Sequence, residues 1–512
     1  MSDSVDFLDE ELFWWDEAPA RLTPAPAPAE RAPRRRRPPP RTFAGDLARL
    51  RKALAARVPP AVALGAALGL LVVIGVAYVV FAAGGDAPAE QADVAPRAQP
   101  ANAAAAAAVP VSPVDPILRQ GDRGVAVRDL QHALAALGFS QTVADGAFGS
   151  GTADAVAAFQ GTRGLLADGI VGSSTTAELR EAVAEGTSEA AAAAESGLAA
   201  AEASGRLEPE AANGYRAELA DALAAIGTLP PGRGATVALV LRDVAAHADV
   251  YDGPRALALF GMLSANVVHF GANPVPVPPA SMTDEDGVVH RWFAGHGFQF
   301  HPLANFAVLN RQAAKGRRAE AARLAAALAA RGIRRGRTMS WEYYFPFGGP
   351  ARWTSALAQA AGAQAFARAG ALLEDDTLLA RAGQTFRAIP RELSADIGGG
   401  TWVREYSYSD MAILNAQLQS IVSLAEYAEI TQDAAAERFV ASMSTAARAL
   451  IHELDTGCWS RYSLGGAPAN LHYHEYHVDL LRTLARIEPH AVWADTGARW
   501  EGYLSSGGPT AC

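Results

Sequence analysis

The sequence predicts a mainly α protein: a C-terminal α/α toroid, a small three-helix domain before it, and a single transmembrane helix nearer the start. Three observations predict this. Apolar residues recur at helical spacing over most of residues 209–507, with strand-like alternation almost absent. An Asp-Gly turn occurs twice within residues 115–183, and residues 61–83 carry no charged side chain. With 512 residues, half of them hydrophobic, the chain has length for two or three domains and a large buried core.

Residues 1–58 open acidic and aromatic (Asp9, Glu10, Glu11, Phe13, Trp14, Trp15, Asp16) and then turn Pro- and Arg-rich. Such a composition cannot bury a core, so a disordered cytoplasmic tail is expected. The stretch 61–83 is long enough, at about 1.5 Å per residue, to cross a bilayer. It is too long, and starts too far along the chain, for a cleaved signal peptide. Positive charges at Arg31, Arg34 to Arg37, Arg41, Arg49, Arg51, Lys52 and Arg57 precede it, and Asp86, Glu90 and Asp93 follow. That asymmetry places the N-terminus in the cytoplasm, leaving a single-pass protein of the cell membrane with its later domains extracytoplasmic. Gly65 and Gly69 have the spacing of a helix-pairing motif, hence a homodimer, although in an Ala- and Gly-rich span it is more often incidental. Residues 84–114, rich in Ala and Pro, read as a tether.

In residues 115–183, Asp145-Gly146 with Gly149 and Thr152 is echoed by Asp168-Gly169 with Gly172 and Thr175. Each copy predicts a tight turn entering a helix, glycine supplying positive φ and threonine a capping hydroxyl. Val127, Leu130, Leu134 and Leu137 give one apolar helix face, and Ala155, Val156 and Phe159 another. Together with Leu118-Arg119-Gln120-Gly121-Asp122 and Phe159-Gln160, the region resembles the peptidoglycan-binding-like domain of wall hydrolases. The resemblance implies peptidoglycan as a partner that is gripped and not cleaved; a helical spacer that has lost its ligand is the alternative. Residues 184–208, rich in Ala and Glu, are expected to be a helical but poorly anchored linker.

The final domain, 209–507, shows amphipathic patterns over Arg216 to Ala225, Pro302 to Gln312, Glu320 to Ala330, Ser355 to Ala369, Asp376 to Phe386, Ile413 to Ile430, Ala434 to Leu454 and His477 to Ile487. Helical hairpins in this number commonly close into a toroid with a cleft lined by the connecting loops. Those loops hold the aromatics: Arg291 to His301, Trp341 to Phe347, Trp402 to Tyr408 and Trp459 to Tyr476. Flat rings with polar edges suit a sugar chain; the bland alternative is that they pin loops to the helical body.

Arg404-Glu405-Tyr406, Asn415, Asp455-Thr456-Gly457, Tyr462 and His472-Tyr473-His474, with Trp353-Thr354-Ser355-Ala356-Leu357-Ala358-Gln359 upstream, follow one another at characteristic spacing. In that order they resemble the C-terminal domain of the D-glucuronyl C5-epimerases, over roughly residues 295–487. The resemblance implies an isomerase acting on a uronate-containing polysaccharide. It puts Tyr406 and Tyr473 at the family's proton-transfer tyrosines, Glu405 at its acidic position, Asn415 at its amide position and Tyr462 at a further cleft tyrosine. Trp353 and His474 fall in the matched motifs and are expected to bind substrate. Two positions depart. The family's Tyr-Asp-Leu-Arg is Tyr462-Ser463-Leu464-Gly465, removing a cation that Arg404 or Arg461 would have to replace. Its Phe-Tyr-Pro is Phe300-His301-Pro302, exchanging a phenol for an imidazole whose ordinary pKa near neutrality still suits proton transfer. A β-rich domain that animal members insert after this motif has no counterpart in the fifty or so residues between Pro302 and Trp353.

Other chemistries find no support. A net charge of −10 argues against nucleic acid as the main partner. No cofactor motif is present, and His472, His474, Glu475 and His477 do not have a recognised metal-ligand spacing. Two cysteines, Cys458 and Cys512, make no disulfide framework, though one bridge outside the cytoplasm would be compatible. Two alternatives remain beside the epimerase: a polysaccharide lyase sharing the same proton abstraction, and a non-catalytic glycan-binding scaffold.

Overall fold

The computed structural model describes residues 117–139 and 144–505. The expected cytoplasmic tail, membrane span and tether lie outside the described residues. So does Cys512, whereas Cys458 is described and disulfide-bonded.

The first domain is α1 (Val125–Ala136), α2 (Ser150–Thr162) and α3 (Ser173–Glu185) around Val127, Leu130, Leu134, Val156, Phe159 and Leu179. Gly146 and Gly169 take φ of 73° and 70°, the left-handed turns that the repeated Asp-Gly predicts. The threonines have a different task from the one expected. α2 and α3 begin at Gly149 and Gly172 with no side-chain cap. Thr152 and Thr175 instead accept hydrogen bonds from the buried amides of Gln131 and Gln160 at 3.2 and 3.1 Å. A buried glutamine must be satisfied on both sides of its amide, and here the turn supplies every partner.

Residues 184–208 are helical as expected, but firmly anchored. They contain α4 (Ser188–Ala203), whose Ala194, Leu198 and Ala201 are fully buried. Small side chains let α4 lie close against α5 (Pro209–Thr228) and α6 (Pro231–Ala245). The first domain is docked here as well: α1 packs on α6, Arg233 reaches Asp129 at 3.4 Å, and His132 meets Trp292 edge-on at 6.2 Å. Gly232 makes the approach possible, because a Cβ there would lie 1.9 Å from the Asp129 carbonyl oxygen.

α7 (Gly253–Ala272) is, among the described residues, the one helix long and apolar enough to cross a membrane. It packs on α5 and α6 with Leu259, Phe260, Met262 and Leu263 fully buried. An antiparallel sheet follows, β1 (Ser281–Thr283), β2 (Val289–Phe293) and β3 (Gly297–Phe300). β2 and β3 are buried on both faces, so they never show the alternation by which a strand is read from sequence.

The rest is a succession of helix pairs: α8 (Pro302–Ala314) and α9 (Arg318–Arg331); α10 (Ala356–Leu373) and α11 (Asp376–Phe386); α13 (Leu414–Thr431) and α14 (Ala434–Leu450); α15 (Leu471–Ile487) and α16 (Ala491–Leu504). A short α12 (Ala388–Glu392) and two β-hairpins, β4 (Ile333–Arg335) with β5 (Thr338–Ser340) and β6 (Ser394–Ile397) with β7 (Gly400–Val403), fill the connections. The first helices of the pairs, α8, α10, α13 and α15, pack side by side in that order, and each second helix lies against its own partner. α10 is buried without interruption from Ala356 to Gly370, its alanines and glycines allowing contact on every side.

Candidate active site

The starts of α8, α10, α13 and α15 meet. Ser355 Oγ accepts the Ala358 N–H at 3.0 Å, capping α10, and donates to Glu405 Oε1 at 2.9 Å. Ala356 N donates to the Arg404 carbonyl, tying the loop after β7 to α10. Leu414 N donates to the Tyr462 carbonyl at 3.0 Å, and Asn470 Oδ1 accepts the Tyr473 N–H at 2.9 Å, setting the first turns of α13 and α15. Tyr343, whose Oη accepts the Leu303 N–H of α8, stacks on Trp353 at 4.0 Å.

Within this frame the structure brings Glu405, Tyr406, Tyr462 and Tyr473 together. Tyr406 is buried, its ring 5.4 Å from Trp353 and 5.5 Å from Tyr408. Burial first, then the negative charge that Tyr462, Glu405 and Tyr473 can carry, holds its phenol well above the ordinary value. Tyr406 is therefore a neutral hydrogen donor. Tyr462 and Tyr473 form a half-buried edge-on pair at 4.9 Å. Asn415 is buried in the first turn of α13.

The other predicted residues make contacts within the protein. His301 is fully buried, its Nδ1 caps α8 by accepting the Ala304 N–H at 3.1 Å, and burial with the nearby Arg291 charge pushes its pKa well below 6.5. It does not titrate near neutrality as expected. Trp353 is buried with its indole N–H donated to the Phe345 carbonyl, a wall for Tyr406 and not an exposed sugar platform. His474 lies face to face with Trp459 at 3.7 Å and has both ring nitrogens hydrogen-bonded within the protein. Arg404 pairs with Asp410 at 2.9 Å, and Arg461 donates to the Gly466 carbonyl at 2.7 Å. Most of Trp341 to Phe347 is core. His472-Tyr473-His474 is helix, not loop, because Asn470 caps α15.

Sequence reasoning missed Ser355 and Ser460 as site-building hydroxyls. Their signal is local: each is a serine beside or near a buried tryptophan, Trp353 and Trp459. Among the described residues no three His, Cys, Asp or Glu side chains gather to hold a metal. A cavity of about 790 Å³ lies apart from the tyrosines, lined by Arg206, Arg334 and Arg381 near the end of α9 and the start of α11.

Residues 335–502 match the family described as D-glucuronyl C5-epimerase C-terminus, and residues 123–179 match the peptidoglycan binding domain. The D-glucuronyl C5-epimerase of Caenorhabditis elegans is 29% identical over 179 residues, 30% of this chain and 29% of that relative's length. The chain thus spans less than a third of the curated relative it matches. Among solved structures, the family 8 glycosyl hydrolase endoglucanase Cel10 from Klebsiella pneumoniae aligns at a TM-score of 0.33 and 11% identity, over 44% of this chain and 76% of that one. Endo-beta-1,4-glucanase CMCax from Acetobacter xylinum aligns at 0.30 and 13%, over 40% and 72%. Alignments at those scores carry no argument about fold or function.

Proposed function

We propose, on the premise that residues 335–502 are homologous to the C-terminal domain of the D-glucuronyl C5-epimerases, that this protein inverts C5 of hexuronate residues in an extracellular polysaccharide. The observation that carries the reading is the meeting of Tyr406 with Glu405 and the Tyr462–Tyr473 pair.

The hydrogen at C5 is weakly acidic. Removing it needs a neutralised carboxylate, a base on one ring face, an acid on the other and little water. Tyr406, kept protonated by burial, is the acid, and Tyr473 beside Tyr462 takes the C5 proton. Glu405, held by Ser355, favours the protonated form of Tyr406. For the carboxylate, the starts of four helices supply positive ends of peptide dipoles, each worth roughly 0.3–1 kcal/mol against an anion. α13 begins at Ile413 with no side-chain cap and carries Asn415 in its first turn, which puts that amide at the positive end of the helix.

In this reading the helix pairs close into an α/α toroid and the docked first domain grips peptidoglycan. Residues 61–83 anchor the protein in the membrane with both domains outside. One observation favours a second reading, a non-catalytic glycan binder: Arg404 and Arg461 are both engaged by protein groups. The test is C5 deuterium incorporation into unsulfated glucuronate polymer by the full-length chain in deuterated water. Incorporation lost in Tyr406→Phe supports the epimerase, binding without exchange supports the binder, and shortened chains ending in unsaturated uronate support a lyase.

A further inference from the structure

Behind Tyr473 lie three polar side chains whose hydrogen positions follow from geometry. His474 Nε2 is 2.9 Å from the Trp500 carbonyl oxygen, which can only accept, so Nε2 carries the hydrogen. His474 Nδ1 is then a lone pair, as the Ser460 backbone N–H donating to it at 3.1 Å also requires. Ser460 Oγ lies 2.8 Å from the same lone pair, so the hydroxyl gives its one hydrogen there. Nothing is left for His477, whose Nδ1 is 2.9 Å from Oγ; His477 must be the donor. Its Nε2 is consequently a bare lone pair, buried and without a hydrogen-bond partner.

A buried acceptor left unmade costs about 1–3 kcal/mol, and interiors seldom keep one without a use. His477 sits one turn after Tyr473 on α15, on the same helix face, with the rings 6.5 Å apart and inclined by 31°. A proton-moving group, an imidazole beside it and a hydroxyl fixing the tautomer of that imidazole repeat the logic of a nucleophile, its base and the orienter of the base.

We propose that His477 is the positioning base of Tyr473, held by Ser460 and His474 as the Nδ1–H tautomer so that Nε2 receives the Tyr473 phenol proton during C5 abstraction. The proposal rests on the epimerase reading. As the phenol oxygen takes the C5 hydrogen, the Tyr473 O–H bond breaks and an Nε2–H bond forms. Tyr406 then gives its hydrogen to the opposite face of the carbanion. After product leaves, the extra proton on His477 returns through solvent to the Tyr406 phenolate, so the cycle neither gains nor loses a proton. Burial keeps His477 neutral until that moment.

The test uses the full-length chain in two arms. Imidazole nitrogen NMR should find hydrogen on Nδ1 of His477 and none on Nε2; hydrogen on Nε2 overturns the proposal. In the second arm, asparagine at 477 mimics the Nδ1 donor to Ser460 and removes Nε2, whereas glutamine does the reverse. His477→Asn is expected to lower kcat for C5 exchange on unsulfated glucuronate polymer roughly 10²-fold or more with KM unchanged, and His477→Gln to retain more activity. A structural role gives the opposite order, with His477→Asn close to wild type, and overturns the proposal. Wild-type protein that binds polymer without exchange overturns the epimerase reading and the role of His477 with it; the nitrogen spectrum tells that failure apart from a wrong tautomer.

Discussion

Gln131 and Gln160 make the same four hydrogen bonds in two different turns. Each amide donates to the turn aspartate, a carbonyl and a threonine, and each Oε1 accepts the turn glycine N–H, at 2.8 Å from Gly146 and 2.9 Å from Gly169. The repeat in the sequence is thus a repeat of one hydrogen-bonding unit.

Replacing either glutamine by leucine strands the glycine N–H and takes a donor from the threonine hydroxyl, while the exposed aspartate keeps its backbone N–H. Gln131→Leu and Gln160→Leu should each cost about 1–3 kcal/mol in denaturant unfolding. A loss from only one of them would break the equivalence.

Gly232→Ala places a methyl group against the backbone of α1, which cannot give way as a flexible side chain can. The docked domain should loosen, with about 1–3 kcal/mol lost and faster proteolysis within residues 185–209. Gly214→Ala, on α5 with open space around its Cβ position, is the control and should be neutral or slightly stabilising. Equal behaviour of the two variants would show that the contact does not hold the domains.

Acid should weaken the same interface. Burial, with the Arg128 charge beside it, lowers the pKa of His132 to about 4. The unfolded chain titrates near 6.5, so between pH 6.5 and 4 it binds a proton that the folded chain refuses, and stability falls as pH falls. Asp129, raised by burial, works in the other direction above its ordinary value. The difference between parent and His132→Phe isolates the histidine: the parent should lose stability more steeply through this window, and parallel curves would refute the assignment.

Ser355→Ala removes a helix cap worth about 0.5–2 kcal/mol and the 2.9 Å donor of Glu405. Ser355→Thr keeps both. C5 exchange should fall in the alanine variant well beyond the threonine variant at equal polymer affinity; matching rates would remove Ser355 from the site.

Much of this was legible in the sequence. Asp376–Phe386 is found at both ends because Asp375 caps it and its outer face is polar. α6 is not found, because a helix buried on most sides loses the periodicity that marks a surface helix. Tyr406, Glu405, Tyr462 and Tyr473 are singled out through the spacing of a family, and the structure brings them together. His474 and Trp353 come with them by position, yet what their rings face is decided by Trp500, Trp459 and Tyr343, distant in sequence. Gly465 is a further case: its φ of 71° makes the turn after Tyr462, so an arginine there would be strained by about 1–2 kcal/mol as well as new in charge.

The contact of α1 with α6 sets a ruler. Under the proposed function, a wall strand gripped by the first domain could not be swung to the tyrosines, because α1 is packed on α6. On that proposal only polymer already lying at that offset from the wall would be within reach, so the distance between the two domains would itself act as a selector of substrate.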